Sequence, residues 1–159
     1  MNRVAVNAGG MPLPEWSKSV SQFAQKALAE LGRDKWELSV LLCDDATITE
    51  LNSKYRGKAR ATDVLSFSLS EGERFPPVKN RSSNRFPAGD IVISLDTLSK
   101  NAREYKINED EELRRLLIHG ILHLDGMDHR GNGEDEPMLQ LQEQILTKLA
   151  DERILESKA

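Results

Sequence analysis

All three histidines of this 159-residue chain lie within eleven residues, His119-Gly-Ile-Leu-His123-Leu-Asp-Gly-Met-Asp-His129. Chance placement gathers three histidines this tightly in only about one sequence in a hundred, and local enrichment of this kind marks metal binding. The spacing narrows the geometry. His119 and His123 are four apart, so on a helix their side chains stack on one face and can chelate one ion. A third ligand cannot come from the next turn of that helix. Gly126 supplies the permissive backbone that ends the helix and bends the chain back, bringing His129 toward the same ion. Three neutral imidazoles around an open position form the ligand set of a catalytic zinc site, whereas structural zinc usually has four protein ligands rich in cysteine. Nickel or copper could also occupy so nitrogen-rich a site. The competing reading, three unrelated surface or core histidines, leaves the spacing, the glycine and the clustering unconnected.

The histidine and glycine spacing is that of the metzincin pattern H-E-x-x-H-x-x-G-x-x-H, with one difference that bears on the chemistry. Position 120 is glycine. In zinc proteases the glutamate there is the general base, so a peptidase built on this chain lacks the group that activates its nucleophile. Gly120 is expected instead to leave open space beside the metal for a bulky substrate. Asp125 and Asp128 are candidates to orient the imidazoles as hydrogen-bond acceptors, against the plainer reading of solvated charges after a helix.

The rest of the chain reads as one domain, 1–159, of mixed α and β structure. With 38% hydrophobic and 30% charged residues it is neither disordered nor short of core material. The single Cys43 can form no internal disulfide and is expected to be buried. No apolar run approaches a membrane span, and the opening residues lack a secretory pattern, which points to the cytoplasm and to no membrane partner. Strands are expected at Val4–Val6, at Trp36–Cys43, in the alternating Leu65-Ser-Phe67-Ser-Leu69-Ser70 run and at Gly89–Leu95. Helices are expected after Pro14, ending at Gly32; after Asp44 or Asp45; over Asp96–Tyr105; from Asn108 through the histidines; and from Pro137 with Met138, Leu141, Ile145 and Leu149 on one stripe. Residues 71–88, rich in proline and basic groups, read as a long surface loop.

Charge is unevenly spread. The net charge is -4, yet the segment Lys54–Gly89 carries eight basic residues against Asp63, Glu71 and Glu73. A net negative protein with such a strip can still meet nucleic-acid backbone there, the alternative being a solvated loop surface. Lys54, Arg56, Lys58, Lys79, Arg81 and Arg85 are the candidate RNA contacts. Arg56, permanently charged and forked, is also a candidate to clamp a phosphate as charge grows on it.

The segment His119–His129 resembles the H-G-x-L-H-L-x-G-[YHM]-D-H signature of the YbeY endoribonucleases. Three further motifs fall in that family's order: D-D-x-x-I-x-x-L-N-x-x-Y-R at Asp44–Arg56, T-D-V-L-S-F at Thr62–Phe67, and G-D-I-V-I-S at Gly89–Ser94. The likeness covers most of residues 36–149. It implies an α+β fold with a four-stranded mixed sheet flanked by helices and a metzincin-like site in which His119, His123 and His129 bind one zinc ion and, with Arg56, form the catalytic set. It also implies a zinc-dependent, single-strand endoribonuclease that matures the 3′ end of 16S rRNA and serves ribosome quality control, with the small ribosomal subunit and the GTPase Era as partners. Two departures stand out: Ser68 follows L-S-F where the family often has proline, and loop 71–88 is longer than usual. The alternatives are a zinc metallopeptidase, disfavoured by Gly120, and a non-catalytic ribosome-assembly factor using the metal as a clip.

Overall fold

Alternation of side chains along a strand puts every second residue on one face, so a sheet buried on both sides needs apolar residues at consecutive positions and cover above and below. The computed structural model, which describes residues 1–68, 85–133 and 135–155, meets that demand with four strands and five helices. The strands are β1 (Arg3–Gly9), β2 (Trp36–Cys43), β3 (Val64–Ser68) and β4 (Phe86–Ser94). The helices are α1 (Ser17–Glu30), α2 (Asp45–Arg56), α3 (Leu95–Tyr105), α4 (Glu109–Leu124) and α5 (Pro137–Lys148). The sheet order is β1-β2-β4-β3, with β1, β2 and β4 parallel and β3 antiparallel to β4. The sheet is thus mixed, and the fold is α+β.

In β4, Ile91 and Ile93 enter the main core with α1, α4 and α5, while Val92 joins Cys43, Ile48, Leu51 and Phe67 beneath α2 on the opposite face. Cys43 is fully buried, and burial together with the neighbouring Asp44 pushes its thiol up to about 12, so it is no nucleophile at neutral pH. Helix ends follow their sequence signals. Asp44 caps α2 by accepting from the Thr47 amide at 2.9 Å, and Asn108 caps α4 by accepting from the Glu111 amide at 2.7 Å. The four acidic residues that open α4 lie at the positive end of its dipole.

Helix α4 is the hub. Its Leu113, Leu117, Ile118, Ile121 and Leu122 are fully buried, each such side chain contributing roughly 1.5–3 kcal/mol of burial. Its beginning is pinned by buried Asp110, which pairs with Arg114 at 2.7 Å and accepts from the amides of Ile154 and Leu155. Its end is pinned by Asp125, which takes a two-point bond from Arg33 at 2.9 and 3.0 Å.

Two expectations need revision, and one lies beyond the described residues. The strand after the loop begins at Phe86, not Gly89: Phe86 stacks on Trp36 at 5.0 Å and its amide donates to the Lys35 carbonyl at 2.7 Å, so Pro87 is carried inside a strand. A register shift at Glu37/Leu38 accommodates the imperfect pairing. Residues 71–84, with Lys79 and Arg81, and Leu69 and Ser70 of the alternating run, lie outside the described residues. Gly120 opens no space beside the histidines. It faces the sheet, where an added Cβ would stand 2.8 Å from Ile91 Cγ2. The missing side chain lets α4 approach β4 closely.

Overpacking of this kind costs about 1–3 kcal/mol. Gly120→Ala is therefore expected to lower the unfolding free energy by that amount, read as a lower denaturant midpoint at unchanged slope. In combination with Ile91→Ala, the two losses should sum to less than their separate values in a double-mutant cycle, because the second change removes the atoms the first one strikes. Strict additivity in urea melts would show that the contact is not shared.

Candidate metal centre

The last turn of α4 stacks His119 over His123, with ring centroids 4.7 Å apart. The chain leaves the helix through a left-handed Gly126 at φ 94°, a conformation that a side chain would strain. The Gly126 amide donates to the His123 carbonyl and the Met127 amide to the Leu122 carbonyl, each at 3.0 Å, which closes the helix end. The chain then reverses and carries His129 to within 5.3 and 5.6 Å of the other two rings. One nitrogen from each histidine can be chosen so that all three lie within 4.8 Å of one another. The three side chains converge as their spacing predicts.

What holds the rings is legible atom by atom. His119 Nδ1 lies 2.7 Å from Gln142 Oε1, His123 Nδ1 lies 3.0 Å from the Met127 carbonyl, and His129 Nδ1 lies 2.8 Å from the Gly131 carbonyl. Carbonyl oxygens only accept, so each Nδ1 carries the proton and each Nε2 keeps its lone pair. His119 Nε2 and His123 Nε2 consequently face one another at 3.1 Å as two acceptors. Two lone pairs at that distance repel, and a cation between them removes the repulsion. The donor set therefore fits a divalent transition metal bound through three imidazoles. Burial, chiefly, holds the His119 ring below the usual imidazole range, and the closeness of the His123 and His129 rings, which makes a charge on it costlier, pushes the same way; the Gln142 bond opposes them. His119 thus favours the neutral, ligating form.

Gln142 is the residue that sequence reasoning missed. It is buried on α5 and its amide is oriented by a second bond, Nε2 donating to Glu143 Oε2 at 3.1 Å. Arg115 in turn grips Glu143 at 2.9 and 3.0 Å, which lowers the Glu143 carboxyl below its ordinary range, and reaches Glu111 at 3.2 Å. The signal was present as a polar residue four after Met138, on the stripe that α5 buries. The two candidate acceptors, for which solvation is the plainer reading, do neither. Asp125 is committed to Arg33, and Asp128 accepts from the His129 backbone amide at 2.8 Å, fixing the turn and not a ring.

Arg56 stands at the C-terminal end of α2, exposed as expected, with Nη2 donating to the Ser66 carbonyl at 2.6 Å and its guanidinium 4.7 Å from the Phe67 ring centre. It lines a cleft of about 450 Å³ together with Ser66, Ser68, His119, His123 and Asp128. The structure thus brings Arg56 and two of the histidines to one opening. Lys54 and Lys58 are exposed nearby in sequence, Lys54 over the Tyr55 ring at 5.2 Å, but neither lines that cleft. Arg85 donates to the Met1 carbonyl and does not line it either.

Replacing Gln142 by leucine leaves the His119 Nδ1 proton without its acceptor. Loss of such an outer partner typically lowers metal affinity about 10–100-fold. Gln142→Leu should show that loss in a competition titration with a chromophoric chelator, while its far-ultraviolet circular dichroism stays parental. Unchanged affinity would mean that the bond does not tune the centre.

Comparison with known proteins places this geometry. The sequence model of the family described as Endoribonuclease YbeY matches residues 6–150. A Treponema denticola protein named Endoribonuclease YbeY is 47% identical over 127 residues, covering 80% of this chain and 79% of its own. A Treponema pallidum protein of the same name is 42% identical over 148 residues, covering 93% and 90%, and one from Aquifex aeolicus is 43% identical over 132 residues, covering 82% of each. A Thermotoga maritima protein solved in solution superposes with a TM-score of 0.56 at 26% identity, over 94% of this chain and 90% of that one. A match that spans nearly the whole domain and includes the three-histidine turn makes this chain a member of the YbeY endoribonuclease family.

Proposed function

We propose that the chain is a zinc-dependent, single-strand endoribonuclease that hydrolyses RNA phosphodiester bonds in 16S rRNA 3′-end maturation and ribosome quality control, acting in the cytoplasm on the small ribosomal subunit with the GTPase Era as a partner. The observation that carries this reading is the convergence of three imidazoles, two of which, His119 and His123, line a cleft that also holds the Arg56 guanidinium. His119, His123 and His129 would hold the ion. Zinc bound there supplies Lewis acidity toward a phosphoryl oxygen and a water activated near neutral pH. Gln142 and the carbonyls of Met127 and Gly131 keep the three rings aimed. Arg56 binds and orients the phosphate: its fork is steadied by the Ser66 carbonyl and the Phe67 face, so the charge is presented with little freedom left to lose. Lys54 and Lys58 extend the positive surface beyond the helix end, where strand backbone would continue. Among the described residues no helix is long and apolar enough to cross a membrane. A peptidase reading lacks support, since the position of the missing general base is packed against Ile91.

The metal assignment predicts one transition-metal ion per chain by elemental analysis, with zinc the expected species. A His119→Ala/His123→Ala variant should contain none and should lose cleavage of single-stranded RNA, while the parent leaves casein intact. Protons compete for the imidazoles, so occupancy should fall as the pH drops below about 6.5. Parental metal content in the double variant would sink the assignment.

Arg56 is exposed, so Arg56→Ala should change stability by no more than about 0.5 kcal/mol and leave metal content parental. Loss of the clamp should lower the cleavage rate about 10²–10³-fold, by analogy with removal of one oxyanion donor. Cleavage at the parental rate by a highly purified variant would return Arg56 to the solvated surface charges.

A further inference from the structure

Among the described residues the histidines also line a second cleft. The second, of about 660 Å³, is lined by His119 and His129 on the side away from Arg56 and by Asp63, Tyr105, Glu112 and Arg115. Its chemistry is the reverse of the first. Glu112 is buried two helical turns before His119 on α4, and its nearest cation, Arg115, stands 3.5 Å away while shared with Glu111 and Glu143. Asp63 accepts from the Val64 amide at 2.8 Å and from Asn101 at 3.1 Å, neither of them a cation. Carboxylates therefore outnumber the one arginine, and a phosphate entering this cleft would be repelled. A second metal ion is not favoured either, because the three histidines are the one group of suitable side chains found close enough together among the described residues. The remaining feature is apolar. Tyr105 is 64% exposed at the end of α3, the most exposed large hydrophobic side chain after Met1 among the described residues, and has no aromatic partner among them. Ile107 and Leu139 extend the apolar wall beside it.

An unstacked base is neutral, flat and rich in edge donors, and it lies next to its phosphate as this cleft lies next to the first, with which it shares His119. We infer that the second cleft seats a nucleobase flanking the scissile phosphate, Tyr105 supplying the face on which it stacks and the Asp63 and Glu112 carboxylates accepting from its amino group. This rests on the reading of the chain as an RNA nuclease and adds a specificity subsite to it. A carboxylate accepts from the N4 amine of cytosine but meets the O4 of uracil acceptor to acceptor, so a cytosine is favoured over a uracil. Stacking on an aromatic ring is indifferent to salt, whereas a phosphate contact is not.

The test uses short labelled oligo(C) and oligo(U) with 2′-O-methyl phosphorothioate backbones, which resist cleavage, titrated by fluorescence anisotropy at several salt concentrations. Parent, Tyr105→Phe, Tyr105→Ala and Arg56→Ala proteins are compared as purified, with metal content measured alongside. The parent should prefer oligo(C). Tyr105→Ala should weaken oligo(C) binding about 5- to 100-fold with the parental salt slope and metal content, and Tyr105→Phe should restore affinity to within about twofold. Arg56→Ala should instead flatten the log–log slope by about 0.7. Parental affinity in Tyr105→Ala, a flattened slope in that variant, or equal binding of the two oligomers by the parent overturns the base subsite. If Arg56→Ala still weakens binding in that case, the nuclease reading stands without it; a parent that neither binds nor cleaves RNA overturns both.

Discussion

Helix α4 lies as close to β4 as it does because residue 120 carries no side chain against Ile91, and the depth of that helix decides where everything else must go. A helix sunk to this depth is wrapped by apolar residues on most of its circumference, leaving His119 and His123 on the strip that meets the edge of the sheet. The same depth brings the end of α4 against β4 at Gly89, where a φ of 144° and the Phe67 carbonyl exclude any side chain; an added Cβ would stand 2.1 Å from that oxygen. Strand β3 is thereby held over the helix, and Ser66 and Arg56 are delivered to the rim of the histidine cleft. Two glycines, 31 positions apart, thus set one dimension of the site.

Electrostatics divides the surroundings of the histidines. On the side of Arg56 a cation is held against a neutral carbonyl and an aromatic face. On the other side the one arginine is enclosed by Glu111, Glu112 and Glu143, and burial raises the Glu112 carboxyl while Arg115 draws it down. A chain with a net charge of -4 can therefore offer polyanionic backbone a welcome on one flank and refuse it on the other. Net charge alone says little about this partner, because the relevant field is local.

Much of this was legible from the sequence. The capping residues Asp44 and Asn108, the alternation Leu65/Phe67 and the apolar run in β2 are local signals, and local physics decides them. The histidine turn was legible because helical period and a glycine are enough to predict convergence. What escaped were the features that depend on contact between segments far apart in the chain. Gly120 looked like room for substrate, since a sequence does not show that Ile91 fills the space. Asp125 looked like a partner for an imidazole, since its pairing with Arg33 joins residues 92 apart. Phe86 and Pro87 read as loop, although stacking on Trp36 overrides the preference of proline against a strand. Gln142 drew no reading, since nothing local shows that it faces inward to a ring on another helix.

The supports of the three rings differ in kind. Two acceptors, the carbonyls of Met127 and Gly131, belong to the backbone and are supplied by whatever residue occupies those positions. The third is a side chain. Substitution can thus change how one ring is aimed with the three histidines themselves untouched, and Gln142 is the position that does so. The other two rings are buffered, because a backbone carbonyl is present whichever side chain its residue carries.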